Sequence, residues 1–283
     1  MLIVGTGAVA TLLAEQFFQA GLSFQIFGGP SERLRALESR FTGCTVSSPE
    51  QVQQRSRWVV AVKTGQNSEK IRLLTRAPAP ESLLVLQNGF NPEQEWRSLT
   101  PEVERGVSTY GVRTVRPGAV AGGGHGCLTL PTGSGFAETL RLAGFEVLEV
   151  ENMATVIWQK LAVNASLNVV ATLYGVTNGR ILEIPEALES VRRASLEVAR
   201  VATAAGVDFG PRSAWELTRK VALGTSDNVC STLADFRSGR PTEYQAINGE
   251  VLRYAQRLGV AVPTLRKLDH EFRALLSSPV EAA

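Results

Sequence analysis

A lysine and two asparagines interrupt the mainly apolar stretch "WQKLAVNASLNVVATL" (158–173): Lys160, Asn164 and Asn168. Spaced at i, i+4 and i+8, they share one face of an α-helix. A lysine ammonium there can polarise an oxygen and donate a proton to it, and burial lowers a lysine pKa from about 10.4 toward neutrality. The asparagines offer donors and acceptors without competing for that proton. The structural alternative is a snorkelling lysine with amides that only brace loops, and for one such residue that alternative is favoured.

Other elements must bring a reactant to that face. The chain has 283 residues, 44% hydrophobic and 20% charged, with a formal charge of +2. This is the balance of an ordinary globular protein, and it gives no hint of a nucleic-acid or membrane-surface partner. The three cysteines, Cys44, Cys127 and Cys230, form no CxxC pair. They read as free thiols of a reducing cytoplasm, and no metal site is expected. The opening segment lacks the basic stretch of a secretory leader, and no run reaches the ~18 apolar residues of a membrane helix.

Up to about residue 100, short apolar runs alternate with helical patterns. The runs are "LIV" (2–4), "FQIF" (24–27), "WVVAV" (58–62) and "LLVL" (83–86); the helical patterns cover 8–20, 31–39 and 66–75. That alternation predicts βαβ units and a mainly parallel sheet. Shorter strands follow in "GVSTY", "CLTL" and "EVLEV", separated by glycine and proline as in "RPGAVAGGGHG". From about Met153 on, only helical patterns remain: 153–174, 183–205, 212–223, 243–258 and 262–276. The expected organisation is an α/β dinucleotide-binding domain over 1–150 and an all-helical domain over 151–283. The Lys160 helix opens the second, so it is expected at the domain interface, where small-molecule sites are common.

"LIVGTGAVA" is a strand entering a glycine loop: Gly5, Thr6, Gly7, Ala8, Val9, Ala10. Gly5 permits the tight turn, Gly7 the approach of a pyrophosphate, and Ala10 close helix–strand packing. The helix that follows would direct its first N–H groups at the phosphates. An NAD site usually places an acid about 20 residues on. Here the second strand ends "FQIFGGPSER", with no acid at its tip, while Ser31 and Arg33 are available for a 2′-phosphate. The expected cofactor is NADPH, although Arg33 reads equally well as a solvated charge. Lys63 and Asn88 follow the third and fourth runs and fall at the same carboxyl edge, where such sheets bind ligands. Turn chemistry is the other account of Asn88-Gly89. Val112, just past "GVSTY", is counted with the cofactor contacts. In "CSTLADFRSGRPTEYQAINGEVL" (230–252), Ser231 and Glu243 stand out; alone, Glu243 reads as a first-turn acid favoured by the helix dipole.

Taken in order, "GTGAVA", "VKTGQ", "LQNG", "WQKLAVNASLN" and "STLADFRSGRPTEYQAING" resemble the ketopantoate reductase (2-dehydropantoate 2-reductase) family along nearly the whole chain. The resemblance implies a Rossmann-type domain followed by a helical one, and NADPH-dependent reduction of ketopantoate to pantoate in pantothenate biosynthesis. It implies that Lys160 is the catalytic lysine and Glu243 the acid that closes over cofactor and lysine. Asn164, Asn168 and Asn178 would be substrate-contacting amides, and Ser231 would hold the substrate carboxylate. Lys63 and Asn88 would contact the cofactor, Asn88 the substrate as well. Ala10 stands where a third glycine is usual, and "GG" stands where an arginine can end the second strand.

Hydride reduction of a ketone leaves an alkoxide, and the lysine would protonate it. Two other readings stay open. One is an NADP-dependent reductase or dehydrogenase of another small 2-oxoacid or β-hydroxyacid on the same scaffold. The other is a non-enzymatic nucleotide sensor, against which the presence of Lys160 speaks. The expected partner is a small 2-oxoacid, with a homodimer left open.

Overall fold

The computed structural model describes residues 1–28, 31–207 and 209–277. The chain forms two compact units, Met1–Met153 and Ala154–Ala283. In the first, six strands lie parallel: β1 (Leu2–Val4), β2 (Gln25–Phe27), β3 (Thr45–Val46), β4 (Trp58–Val60), β5 (Leu83–Val85) and β6 (Val103–Arg105). Their order is β3-β2-β1-β4-β5-β6, every pair parallel. This is the Rossmann order, with the chain reversing its winding direction between β1 and β4. Both faces are covered, so the central strands are continuously apolar rather than alternating. Ile3, Ile26, Val59 and Leu84 enter one core cluster, whereas Leu2, Val4, Trp58, Val60 and Val85 enter the other.

Helices α1 (Ala8–Gln19), α2 (Glu32–Arg40), α3 (Asn67–Leu74) and α4 (Glu93–Trp96) occupy the connections. Beyond the sheet come β7 (Val107–Ser108), β8 (Val112–Arg116), β9 (Ala119–Gly122), β10 (Leu128–Pro131), α5 (Ala137–Leu142) and β11 (Val147–Val150). Strand β10 pairs parallel with β11 and antiparallel with β7, and β8 pairs with β9 in a hairpin. The glycine-rich segment around 118–126 reads in sequence as a separator between strands. Part of it is instead β9, because pairing with β8 supplies the hydrogen bonds that low strand propensity does not forbid.

Among the described residues the second unit contains helices and turns but no strand. Its helices are α6 (Met153–Val163), α7 (Val169–Tyr174), α8 (Asn178–Ile181), α9 (Pro185–Ala204), α10 (Pro211–Gly224), α11 (Ser231–Arg237), α12 (Glu250–Arg257) and α13 (Pro263–Ser277). Small buried residues on α9, Ala187, Ala194, Ala199 and Ala202, let neighbouring helices approach closely. Its buried Glu197 accepts from the N–H groups of Thr264 and Leu265 at 2.9 and 2.8 Å, capping α13. No described helix is long and apolar enough to cross a membrane.

Candidate active site

In the first unit the glycine loop joins β1 to α1. Gly5 has φ +133°, and a Cβ there would come within 3.0 Å of the Ala61 carbonyl oxygen, so both conformation and space require glycine. Gly7 is different. Its φ is −79°, and a Cβ would meet only the Ala61 oxygen, at 4.0 Å. Nothing among the described residues requires glycine there, and the open space leaves room for a ligand to approach the backbone. Gly7 caps α1 without a side-chain hydrogen bond, leaving the first-turn N–H groups without intrahelical partners. Thr6, Ala8 and Val9 are half-buried, and Ala10 is wholly buried in the first core cluster. A glycine-lined cradle at a helix N-terminus, beside the reversal point of the sheet, fits a dinucleotide pyrophosphate.

At the end of β2, Gly28 lies so close beneath the Thr6 methyl that a side chain at 28 would collide with it. Gly29 and Pro30, which follow in the sequence, lie outside the described residues. Ser31 is the N-cap of α2 and accepts from the Leu34 N–H at 3.1 Å. A hydroxyl that accepts keeps its proton to donate. Arg33, one residue into that turn, is half-buried.

The strand of Lys63 ends at Val60, two residues earlier than its pattern predicts, and Lys63 caps a short 3₁₀ turn, Thr64–Gln66. Asn88 precedes Gly89, whose φ is +98°. A buried network joins the two loops. Gln87 donates to the Val62 carbonyl at 2.8 Å and to Asn67 Oδ1 at 2.6 Å, and accepts from Trp96 Nε1 at 3.1 Å. Arg105 donates to the Val85 and Gly106 carbonyls, both at 2.9 Å, and to Gly89 at 3.3 Å. Lys63 and Asn88 therefore stand on loops fixed from beneath. Val112 lies on the β8–β9 hairpin, its side chain against the first core cluster.

In the second unit the expected unbroken helix over 153–174 does not form. Residues Asn164–Asn168 make a π turn between α6 and α7. The carbonyls around it are met by side-chain donors: Ser166 Oγ to Ala162 O at 2.6 Å, Asn248 Nδ2 to Ala165 O at 2.8 Å, and Thr172 Oγ1 to Asn168 O at 2.7 Å. Such insertions divert an α-helical ladder. The wider turn alters the register of Lys160, Asn164 and Asn168 from that of a straight helix. Lys160 and Asn164 are half-buried amid buried neighbours; Asn168 is buried. Neither asparagine side chain hydrogen-bonds another described residue.

Glu243 immediately precedes Tyr244, which enters a second π turn, Gln245–Gly249, where a plain α-helix is expected. The Glu243 carbonyl accepts from the Ile247 N–H at 3.1 Å. Tyr244 stacks on Phe272, with ring centroids 4.2 Å apart, and donates to Asp269 at 2.9 Å. Burial, then the Asp269 carboxylate, pushes its phenol above the ordinary range. π turns often mark functional sites, and here one contains two candidate amides and the other follows the candidate acid.

Asn178 and Ser231 have surroundings of their own. The Asn178 Nδ2 donates to Thr225 Oγ1 at 2.9 Å, so this amide is spent in part on joining α8 to the end of α10; its buried Oδ1 has no hydrogen-bond partner. Ser231 is exposed in the first turn of α11, and the N-cap is Cys230, whose sulfur accepts from Leu233 N–H at 3.5 Å. Burial raises the Cys230 thiol above its ordinary value. Missed altogether were Gln87, Asn67, Arg105 and Asn248. Their signal in the sequence is weak, because whether a polar side chain is buried depends on which distant segments the fold packs against it.

Residues 1–135 match the family described as ketopantoate reductase PanE/ApbA, and residues 152–275 match the C-terminal part of the same family. The chain is 37% identical over 193 residues to a 2-dehydropantoate 2-reductase of Pyrobaculum aerophilum, covering 68% of each chain. Its fold is similar to that of a ketopantoate reductase from Ralstonia eutropha JMP134, with a TM-score of 0.83, 26% identity and 98% of each chain covered. It is also similar to D-mandelate dehydrogenase solved with NADH and anilino(oxo)acetate, with a TM-score of 0.87, 21% identity and 98% of each chain covered.

Proposed function

Since the chain belongs to the ketopantoate reductase PanE/ApbA family, we propose that it reduces the 2-oxo group of ketopantoate to pantoate with NADPH, a step of pantothenate biosynthesis. The observation that carries this reading is the polar opening in the apolar α6–α7 segment, where Lys160 and Asn164 stay half-buried amid buried neighbours. Bound at the glycine loop, the nicotinamide supplies the hydride.

The chain's own residues do the rest. The Gly5–Ala10 loop and the first turn of α1 hold the pyrophosphate through backbone N–H groups. Ser31 and Arg33 hold the 2′-phosphate, while Lys63 and Asn88 contact the cofactor from loops braced by Gln87. Lys160 donates a hydrogen bond to the substrate carbonyl oxygen and then its proton to the alkoxide. Asn164 and Asn168 pair with the substrate hydroxyl, Ser231 with its carboxylate, and Glu243 orients the Lys160 ammonium. Asn178 shapes the pocket and offers its free Oδ1.

The test is the decay of NADPH absorbance with ketopantoate, run beside a panel of other 2-oxoacids and β-hydroxyacids. Turnover of ketopantoate with the highest kcat/KM supports the reading. A higher value for an acid without the hydroxyl assigns the scaffold to another substrate, and no nicotinamide oxidation with any acid leaves a nucleotide-binding protein.

A further inference from the structure

The tip of β2 lacks the side chain that usually reads the adenosine ribose, yet it does not lack a charge. The buried residues of α3 are Asn67, Lys70 and Leu74, the inward stripe of an amphipathic helix. A lysine therefore occupies a core-facing position. Its side chain is 8% exposed, and its Nζ lies 3.1 Å from the Gly28 carbonyl oxygen at the end of β2. Its other partner is Glu69 Oε1 at 3.1 Å, on a carboxylate that is itself 57% exposed.

An ammonium has three N–H donors, and among the described residues two acceptors take two of them. Burying a charge costs free energy unless it is paired. One neutral carbonyl and one half-solvated carboxylate compensate it poorly. Gly28 carries no side chain, and one added there would meet the Thr6 methyl, so this position offers no group to distinguish a ribose 2′-hydroxyl from a 2′-phosphate. Ser31, the capping hydroxyl of α2, follows three residues on.

We propose that Lys70 joins Ser31 and Arg33 in selecting a 2′-phosphorylated dinucleotide, its ammonium reaching the end of β2 from α3 where a strand-tip arginine is absent. The proposal rests on the NADPH reading above. Glu69 moderates it, sharing the ammonium and setting a negative charge near the phosphate.

The test titrates NADPH, NADH, adenosine 2′,5′-bisphosphate and 5′-AMP by calorimetry into the full chain. Lys70→Met keeps the buried stem and removes the charge. It should weaken NADPH and the bisphosphate by about 10- to 100-fold, the loss of one hydrogen bond to a charged group, while NADH and 5′-AMP keep their affinity. Glu69→Gln, at an exposed position, should tighten NADPH and the bisphosphate by about 2- to 5-fold and leave NADH alone. A wild type that prefers NADPH, with Lys70→Met losing both cofactors equally or neither, makes Lys70 a brace and overturns the assignment while the NADPH reading stands. A wild type that binds the cofactors equally overturns both. Should Lys70→Met fail to fold, an unchanged NADPH affinity in Glu69→Gln overturns the assignment by itself.

Discussion

The side-chain amide of Asn248 donates to the backbone carbonyl of Ala165 at 2.8 Å, joining the π turn that follows Glu243 to the one that contains Asn164 and Asn168. Both partners are buried, so Asn248→Ala leaves a carbonyl without its donor. The expected cost is about 1–3 kcal/mol, read as a lower urea midpoint at unchanged slope. If the bond also sets the amide register, KM for the oxoacid rises while cofactor affinity holds. A variant as stable as wild type would show that water replaces the amide without loss.

Lys160→Ala should lower kcat by ~10²–10⁴-fold, the range for general acid catalysis by one positioned side chain. NADPH affinity should stay nearly unchanged, because the glycine loop belongs to the first unit. Lys160→Arg should rescue poorly, since a guanidinium holds its proton too tightly to donate it. The kcat profile of the alanine variant should lose its alkaline limb. Full activity in a folded Lys160→Ala protein would remove the lysine from the chemistry.

Cofactor choice should respond to the first turn of α2. Arg33→Ala is expected to narrow the gap between NADPH and NADH by about 2- to 5-fold, as for a partly exposed ion pair. Ser31→Ala should cost stability as well, because Ser31 caps α2 through Leu34; a cap of this kind contributes ~1 kcal/mol. Calorimetric titration of both cofactors separates the effects, and an unchanged preference in Arg33→Ala returns that residue to the solvent-facing surface.

The asparagines should divide into two kinds. Asn164, with no side-chain bond to a described residue, should respond to the substrate: Asn164→Ala raises KM more for ketopantoate than for its analogue without the hydroxyl. Asn178, bonded to Thr225, should respond in stability first, with Asn178→Ala lowering the urea midpoint. Equal KM changes for both substrates in Asn164→Ala would make that amide structural.

Tyr244 predicts a pH dependence. Burial and then Asp269 raise its phenol above the ordinary 10.0. The folded protein thus retains a proton that the unfolded chain releases, so this contribution is complete below about pH 10 and is lost as pH rises further. Tyr244→Phe should flatten the fall in stability between about pH 9 and 11. It should cost about 1 kcal/mol at neutral pH, since Asp269 keeps Arg273 at 2.9 Å. Parallel alkaline slopes in the two proteins would count against a raised phenol.

Much of this protein is written locally. "LIV", "WVVAV" and "LLVL" are apolar throughout, as strands covered on both faces must be, and the helices between them carry their own periodicity. The glycine loop is equally legible: the turn needs Gly5, and Gly7 leaves open space above the backbone. The change from strands to helices near residue 150 follows from period alone. What sequence could not supply depends on partners distant along the chain. Strand β9 is a glycine-bearing segment made a strand by pairing with β8. The π turns exist because Ser166, Thr172 and, from 83 residues away, Asn248 satisfy carbonyls that a straight helix would have engaged. Lys70 reads as an ordinary helix lysine until the fold turns it inward beside the Gly28 carbonyl, 42 residues earlier. Propensity and period act over a few residues, whereas burial and hydrogen-bond partnership are decided only when distant segments meet.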